Sequence, residues 1–161
     1  MSSIYSIYHI DLMSSVARDR SYGFAMRINK LALKLSNNIA IDSLARQLIN
    51  SGNSISTNVE EAMAAFWQED FLHKMGLAKE KAMESKFWLC LIRDSVLLFD
   101  PKVQPLIQDA CYPEVKRLIW EAEELTKILS SIVRIYEERF FAKANGEKSR
   151  NLSGREHERK R

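Results

Sequence analysis

One helical period runs without interruption through residues 42–66, which read DSLARQLINSGNSISTNVEEAMAAF. Asp42 has the side chain of a good N-cap, and apolar or small residues follow it at steps of three and four. The members of this stripe are Leu44, Leu48, Gly52, Ile55, Val59, Ala62 and Phe66. Because such spacing places residues on one side of a helix, the segment predicts an amphipathic helix with one buried face.

The segments on both sides carry the same period. In the preceding segment, residues 21–35, the stripe is Phe24, Ala25, Ile28, Leu31, Ala32 and Leu35. In the following one, residues 69–96, it is Phe71, Met75, Ala78, Ala82, Ser85, Leu89, Ile92 and Val96. In residues 113–143 it is Leu118, Ala122, Leu125, Leu129, Ile132, Tyr136 and Phe140. Four amphipathic helices with short links predict an all-α protein, an up-down-up-down four-helix bundle over residues 20–143.

The stretches outside these four helices have other compositions. Residues 1–19 are apolar without a clear period and fit a helix or a strand equally, so we predict an N-terminal arm. All three prolines lie in residues 98–113, which predicts a structured connector with one short helix over residues 103–110 and Pro113 as the first residue of helix four.

The end of the chain is polar and basic. Residues 143–161 hold seven basic and three acidic side chains, and apolar residues almost vanish after Ala144. A segment of this kind cannot bury enough apolar surface to fold alone. Residues 144–161 are therefore predicted to form a disordered basic tail.

Length and composition restrict the class of protein. The chain has 161 residues, a formal net charge of +3, 46% hydrophobic residues, two cysteines and three histidines. These values predict one globular domain without a zinc site or a disulfide framework. The first residues lack a signal-peptide pattern and no run of 18 apolar residues occurs, so the expected location is the cytoplasm.

Signals for catalysis are weak. Asp70 and His73 stand three residues apart, as the carboxylate and imidazole ligands of di-iron bundles do, but that chemistry needs the motif twice. Cys90 lies on a predicted buried face and fits a small hydrophobic residue better than a nucleophile. We predict no enzyme activity, no bound metal and no cofactor.

Basic residues repeat at intervals of seven on two of the predicted helices. Arg20, Arg27 and Lys34 repeat in this way with Lys30 beside them, and residues 18–35 contain only one acid. The second set, on helix three, is Lys79, Lys86 and Arg93. Phosphate binding requires closely spaced positive charges, so these sets and the basic tail predict contact with RNA or DNA. A solvated helix face is the alternative.

Helix two carries no charged residue between Arg46 and Glu60. Its outward positions there include a set that we call the helix-two polar face: Asn50, Ser51, Ser54, Thr57 and Asn58. Small hydroxyls and amides permit close backbone approach, which favours a subunit interface over an inert polar surface. Surplus aromatic residues support oligomerisation too, although most of them are expected to lie in the core: Phe66, Trp67, Phe87, Trp88 and Trp120.

Two motifs resemble a known family. The run SGNSISTNVEEA, residues 51–62, resembles the second-helix signature S-I-P-x-N-I-x-E-G of the four-helix-bundle family encoded in intervening sequences of bacterial 23S rRNA genes. Its matching residues are Ser54, Ile55, Asn58, Val59 and Glu61. The run FLHKMGLAKEKAMES, residues 71–85, resembles that family's third helix, F-x-x-x-L-x-I-A-x-G-S-x-x-E, through Phe71, Met75, Leu77, Ala78 and Glu84.

The resemblance implies a function of a particular kind. Members of this family, and the related accessory variability protein of diversity-generating retroelements, are small non-enzymatic bundles that form homopentamers, and the retroelement relative binds a reverse transcriptase and its RNA. By resemblance, this chain is expected to be an oligomeric accessory protein that binds nucleic acid or a nucleic-acid enzyme. A protein-protein adaptor of antitoxin type, without nucleic-acid binding, is the alternative.

Overall fold

Four helices make up the described part of the chain. The computed structural model describes the backbone of residues 2–35, 39–96 and 104–158, and the side chains of residues 11–35, 42–95 and 112–139. The helices are α1 (Ser2–Leu35), α2 (Ile39–Met63), α3 (Gln68–Val96) and α4 (Gln104–Glu158). No strand occurs in those backbone ranges, so the predicted all-α class is confirmed.

The helices form a square in which each packs against two neighbours. The contacting pairs are α1–α2, α2–α3, α3–α4 and α4–α1, while within the described residues the diagonal pairs do not meet. Arg20 of α1 is paired with Glu121 of α4, and Arg27 with Glu114, so these helices run in opposite directions. In the pairs α1–α2, α2–α3 and α3–α4, residues that come later in one helix likewise contact residues that come earlier in the other, so these helices are antiparallel too. This is the predicted up-down-up-down bundle.

The predicted stripes supply one continuous core. Its fully buried larger side chains come from all four helices and are Phe24, Ile28, Leu31, Leu48, Ile55, Met75, Leu89, Ile92, Leu118, Leu125 and Leu129. Gly52 sits at a close approach of α2 to α1, because a Cβ atom there would lie 3.2 Å from both Cγ1 and Cγ2 of Ile28. Val96 and Phe140, which close two predicted stripes, lie outside the described side chains.

Helix α1 differs from its prediction because it begins at Ser2 rather than at Ser21. The predicted arm, residues 1–19, is therefore helical from residue 2 onward. Ser14 and Ala17 are buried, and they extend the period of Ser21 and Phe24 toward the N-terminus. The sequence pattern was ambiguous because small residues, rather than large apolar ones, carry the stripe in this segment.

Helix α2 begins and ends three residues earlier than predicted, at Ile39 and Met63. Asp42 lies in its first turn rather than at the N-cap, where its charge still complements the helix dipole. Phe66 is not the last member of the buried stripe, because it lies in the link after the helix and is 86% exposed. Because the helix ends at Met63, the helical spacing no longer directs the side chain of Phe66 toward the core.

Helix α4 is longer at both ends than predicted. The predicted short helix over residues 103–110 and the helix starting at Pro113 form one helix from Gln104, with Pro113 inside it. The φ angle of proline is compatible with a helix, and its missing N–H removes a single backbone hydrogen bond. The burial of Val115 and Leu118 directly after Pro113 anchors the helix on the core. The backbone stays helical to Glu158, through most of the predicted disordered tail, where Lys, Glu and Arg have adequate local helix propensity.

Candidate nucleic-acid interface

The basic stripe of α1 is partly neutralised by α4. The Nε atom of Arg20 donates to Oε1 of Glu121 at 2.8 Å, and Nε of Arg27 donates to Oε1 of Glu114 at 2.8 Å. The hydrogen bond to Glu121 raises the pKa of Arg20 above its ordinary value, so this guanidinium stays charged and held in its pair. Two of the four predicted phosphate contacts on α1 therefore also hold the bundle together.

The other two cations of the stripe are available to a ligand. Lys30 and Lys34 are exposed, and within the described residues neither ammonium has a hydrogen-bond or ion-pair partner. They lie one turn apart, about 6 Å along the helix axis. Lys34 also lies in the last turn of α1, where a positive charge complements the helix dipole.

These two lysines line a cleft of about 270 Å³ between the C-terminal end of α1 and the segment of α4 that follows Pro113. We call it the basic cleft, and its lining residues are Arg27, Lys30, Leu31, Lys34, Pro113, Glu114 and Arg117. Glu114 is the one acid among them, and Arg117 Nη1 lies 3.7 Å from its second carboxylate oxygen. Four cations around one carboxylate leave a net positive site.

The three basic residues of α3 do not join the basic cleft. Lys86 Nζ lies 2.7 Å from Glu123 of α4 and lowers the pKa of that carboxyl, while Arg93 donates to the adjacent Asp94 at 2.7 Å. Lys79 is half-buried and has no ion pair in the described region. The predicted α3 set therefore contributes one unpaired charge and two that are compensated locally.

The helix-two polar face loses one of its predicted members. Ser51 is only 1% exposed, accepts a hydrogen bond from Ser85 Oγ at 2.9 Å and donates to the Leu48 carbonyl. It therefore belongs to the packing of α2 on α3 and cannot contact another subunit. Position 51 shares the inward side of α2 with Leu48 and Ile55, where a small hydroxyl allows close helix approach.

The remaining members of that face point outward. Asn50 and Thr57 are exposed, whereas Ser54 and Asn58 are half-buried. Ser54 donates to the Asn50 carbonyl at 2.7 Å, Thr57 donates to the carbonyl of Asn53 at 3.1 Å, and Asn58 Nδ2 donates to the carbonyl of Ser54 at 2.8 Å. Three of these four side chains therefore donate within their own helix, and all four are uncharged.

The comparisons with known proteins agree with the two motifs. The model of the family described as 23S rRNA-intervening sequence protein matches residues 14–131. The chain belongs to this family. A crystal structure at 1.70 Å resolution of a protein with unknown function, from the S23 ribosomal protein family of Bacteroides thetaiotaomicron, is similar to it. The two share 27% identity with a TM-score of 0.62, over 76% of this chain and 98% of the other. No curated protein matches the sequence.

In this 23S rRNA-intervening sequence family protein, the residues weighed for catalysis are not assembled. Asp70 and His73 are both exposed on α3, and Cys90 is a half-buried free thiol. The described side chains contain no group of three His, Cys, Asp or Glu residues close enough to hold a metal ion. Within the same residues, no helix has both the length and the hydropathy that crossing a membrane requires.

Sequence reasoning missed Arg117 as a cleft residue, and it used Trp120 only as one of the surplus aromatic residues that support oligomerisation. Arg117 lines the cleft, and Trp120 follows it by three residues on α4 with 58% of its surface exposed. A register between α1 and α4 is needed to place Arg117 opposite Lys30 and Lys34, and no local pattern contains that register. The expectation that most of the five surplus aromatic residues lie in the core is wrong, because four of them are exposed: Phe66, Trp67, Phe87 and Trp120.

Proposed function

We propose that this family member is a non-catalytic bundle that binds nucleic acid through the phosphates, with the basic cleft as the binding site. The observation that carries the proposal is the pair Lys30 and Lys34, two cations without a partner in the described region beside Arg27 and Arg117. Closely spaced positive charges release counterions from a nucleic-acid backbone when they bind it. The family name refers to where the protein is encoded and not to a ligand, so RNA and DNA are tested side by side.

Salt titration tests the proposal directly. Fluorescence anisotropy of the full chain with a labelled RNA strand, a DNA strand and their duplex would be measured from about 50 to 300 mM KCl. Each phosphate contact contributes about 0.7 to the log-log slope on single strands and about 0.9 on duplex. A slope equivalent to about three contacts from the cleft is expected, with the contacts of the basic tail in addition. Absence of binding to every form at about 50 mM salt would leave the protein-adaptor function as the better one.

Removing the one acid of the cleft should strengthen binding. In Glu114→Gln, Arg27 and Arg117 lose their carboxylate partner, so one more positive charge faces the ligand. We expect a several-fold higher affinity at about 0.1 M salt and a salt slope steeper by about 1. The matched control is Glu60→Gln, which removes the acid paired with Arg18 on the α1–α2 side. Equal gains in both variants would show that net charge alone, and not the cleft, governs binding.

The basic tail is proposed to add to this binding. Deleting residues 145–161 removes a net positive segment that follows the bundle, so affinity should fall and the salt slope should decrease. Oligomer mass should stay the same because every core residue among the described side chains precedes the deletion. Size-exclusion chromatography with light scattering checks the mass, and anisotropy checks the affinity. A truncated chain that binds like the full chain would remove the tail from the proposed site.

We further propose that the chain forms a homo-oligomer, with a pentamer as the expected form, through the outward part of the helix-two polar face. An arginine at position 57 would be exposed in a monomer but desolvated and unpaired in an interface, at a cost of several kcal/mol. Thr57→Arg should therefore reduce the assembled mass in light scattering while helicity by circular dichroism is unchanged. Thr57→Ser, which stays uncharged, should assemble normally. A wild-type mass of 18.6 kDa at micromolar concentration would contradict the proposal.

A relationship to the retroelement accessory protein would add one further class of partner, namely a nucleic-acid enzyme such as a reverse transcriptase.

The adaptor alternative rests on a separate observation, the exposed aromatic side chains at the α2–α3 link. Phe66 and Trp67 there form an edge-to-face pair with ring centroids 5.0 Å apart, although Phe66 remains 86% exposed. Apolar surface of this kind is typical of protein contacts. Binding of a protein partner that survives loss of the cleft cations would favour the adaptor.

A further inference from the structure

Trp120 has an exposed ring next to the basic cleft. Its side chain is 58% exposed on the outer side of α4, and in the described region it has no ring contact and no hydrogen bond. The exposed rings of Phe66, Trp67 and Phe87 are each covered in part by a neighbouring ring, in the edge-to-face pairs Phe66–Trp67 and Phe87–Trp88, whereas Tyr22 is exposed without a ring contact among the described residues, as Trp120 is. The indole of Trp120 therefore presents a free aromatic surface.

The helix places this surface beside the cleft. Glu114, Arg117 and Trp120 follow one another at steps of three residues, so they form an oblique row that leads from the α1–α4 contact to the outside of α4. Arg117, which lines the cleft, is one step, about 4.5 Å of axial rise, from Trp120. A strand held by the cleft cations would pass over the indole when it continues along α4.

The charges around Trp120 leave it open to a base. Lys116, four residues before it, lies over the ring of Tyr112 at 4.6 Å from its centroid rather than over the indole. The neighbouring acids are compensated, because Glu121 is paired with Arg20 and Glu124 with Lys127. In the described region, therefore, no cation covers the face of the indole, and no unpaired carboxylate beside it repels an anionic strand.

We infer that Trp120 is a stacking platform for an unpaired base, so that the site prefers single-stranded nucleic acid to duplex. A basic groove combined with an exposed aromatic ring is the arrangement by which proteins bind single strands without reading their sequence. Bases in a duplex are stacked on one another and cannot reach the indole. This inference rests on the proposed function of the basic cleft and adds the class of strand that it holds.

The test separates bases from phosphates. The full chain is titrated with four labelled 20-nucleotide ligands, namely single-stranded RNA, single-stranded DNA of the same sequence, that DNA strand paired with its complement, and an abasic DNA strand. Trp120→Ala should weaken binding of the base-bearing strands roughly 5- to 150-fold and leave the duplex and the abasic strand unchanged. Trp120→Phe should retain most of the affinity, because a smaller ring can still stack.

Trp67→Ala is the matched control, since Trp67 is a tryptophan with 64% exposure in the α2–α3 link. It should have no effect on any ligand. Equal affinity of the wild-type chain for base-bearing and abasic strands would overturn the stacking role and leave the proposed cleft intact. An equal loss for both strands in Trp120→Ala, or a changed oligomer mass, would also overturn it, because the tryptophan would then act on structure or assembly. Failure of the wild-type chain to bind any ligand would overturn the proposed function itself.

Discussion

Replacement of Lys30, Lys34 and Arg117 by glutamine is expected to lower the affinity for a single strand about 100-fold at about 0.1 M salt. Each lost phosphate contact removes about 0.7 log units of affinity per decade of salt below about 1 M, so three lost contacts remove about 2 log units at that salt concentration. The slope of the salt dependence should fall by about 2 on single strands. Glutamine keeps much of the length and polarity of these side chains, so the helices should be unaffected. Anisotropy over a range of salt concentrations measures both quantities.

A control with the same loss of charge is available on the opposite side of the bundle. Arg18, Lys74 and Lys81 are each paired with a carboxylate, and all three lie on α1 or α3 where these helices face α2 or solvent. Their replacement by glutamine changes the net charge by the same amount. Exposed ion pairs contribute only about 0–1 kcal/mol each, so this triple variant should fold and bind almost as the wild type does. Similar losses in the two triple variants would contradict a localised site.

The contact between Ile28 of α1 and Gly52 of α2 should show the largest change in stability. Ile28→Ala removes a fully buried side chain and is expected to lower the free energy of unfolding by about 2–5 kcal/mol. Gly52→Val places new methyl groups where a Cβ atom already lies 3.2 Å from Ile28, and overpacking of this kind costs about 1–3 kcal/mol. Urea unfolding followed by circular dichroism, at one protein concentration, measures both values.

The double variant identifies the cause. The methyl groups introduced by Gly52→Val would occupy part of the space that Ile28 vacates. Ile28→Ala combined with Gly52→Val should therefore lose less stability than the two single losses added together, by about 0.5–3 kcal/mol. Gly23→Val is the control, because no atom lies within 4 Å of a Cβ at Gly23 and the change removes a flexible glycine from a helix. Strict additivity of Ile28→Ala and Gly52→Val would mean that the two positions do not share this contact.

Periodicity predicted most of the helix content but not the helix ends. The stripes through Leu48, Met75 and Leu125 are buried as expected, because apolar spacing of three and four is a local property of the chain. The start of α1 at Ser2 and the end of α2 at Met63 differ from the prediction. Helix ends depend on tertiary contacts of a few small residues, such as the burial of Ser14, and these contribute little to a hydrophobic pattern.

The candidate site was predictable only as a set of charges. The seven-residue repeat correctly placed Arg20, Arg27 and Lys34 along one side of α1, but it did not show which of them are paired with a carboxylate. Arg20 is bonded to a carboxylate 101 residues away in the chain and Arg27 to one 87 residues away. Lys34 has no partner in the described region.

The amino-acid sequence by itself determined that this chain forms amphipathic helices, that they pack as a bundle, and that α1 is basic, since each of these follows from neighbours within a few turns. Only the tertiary structure decided which cations remain unpaired, that Arg117 faces Lys30 and Lys34, and that Ser51 is buried against Ser85. The physical reason is that a side chain's charge balance and exposure depend on the axial register and rotation of two packed helices. Many registers satisfy the same apolar stripe, and the long-range packing of the whole core selects one of them.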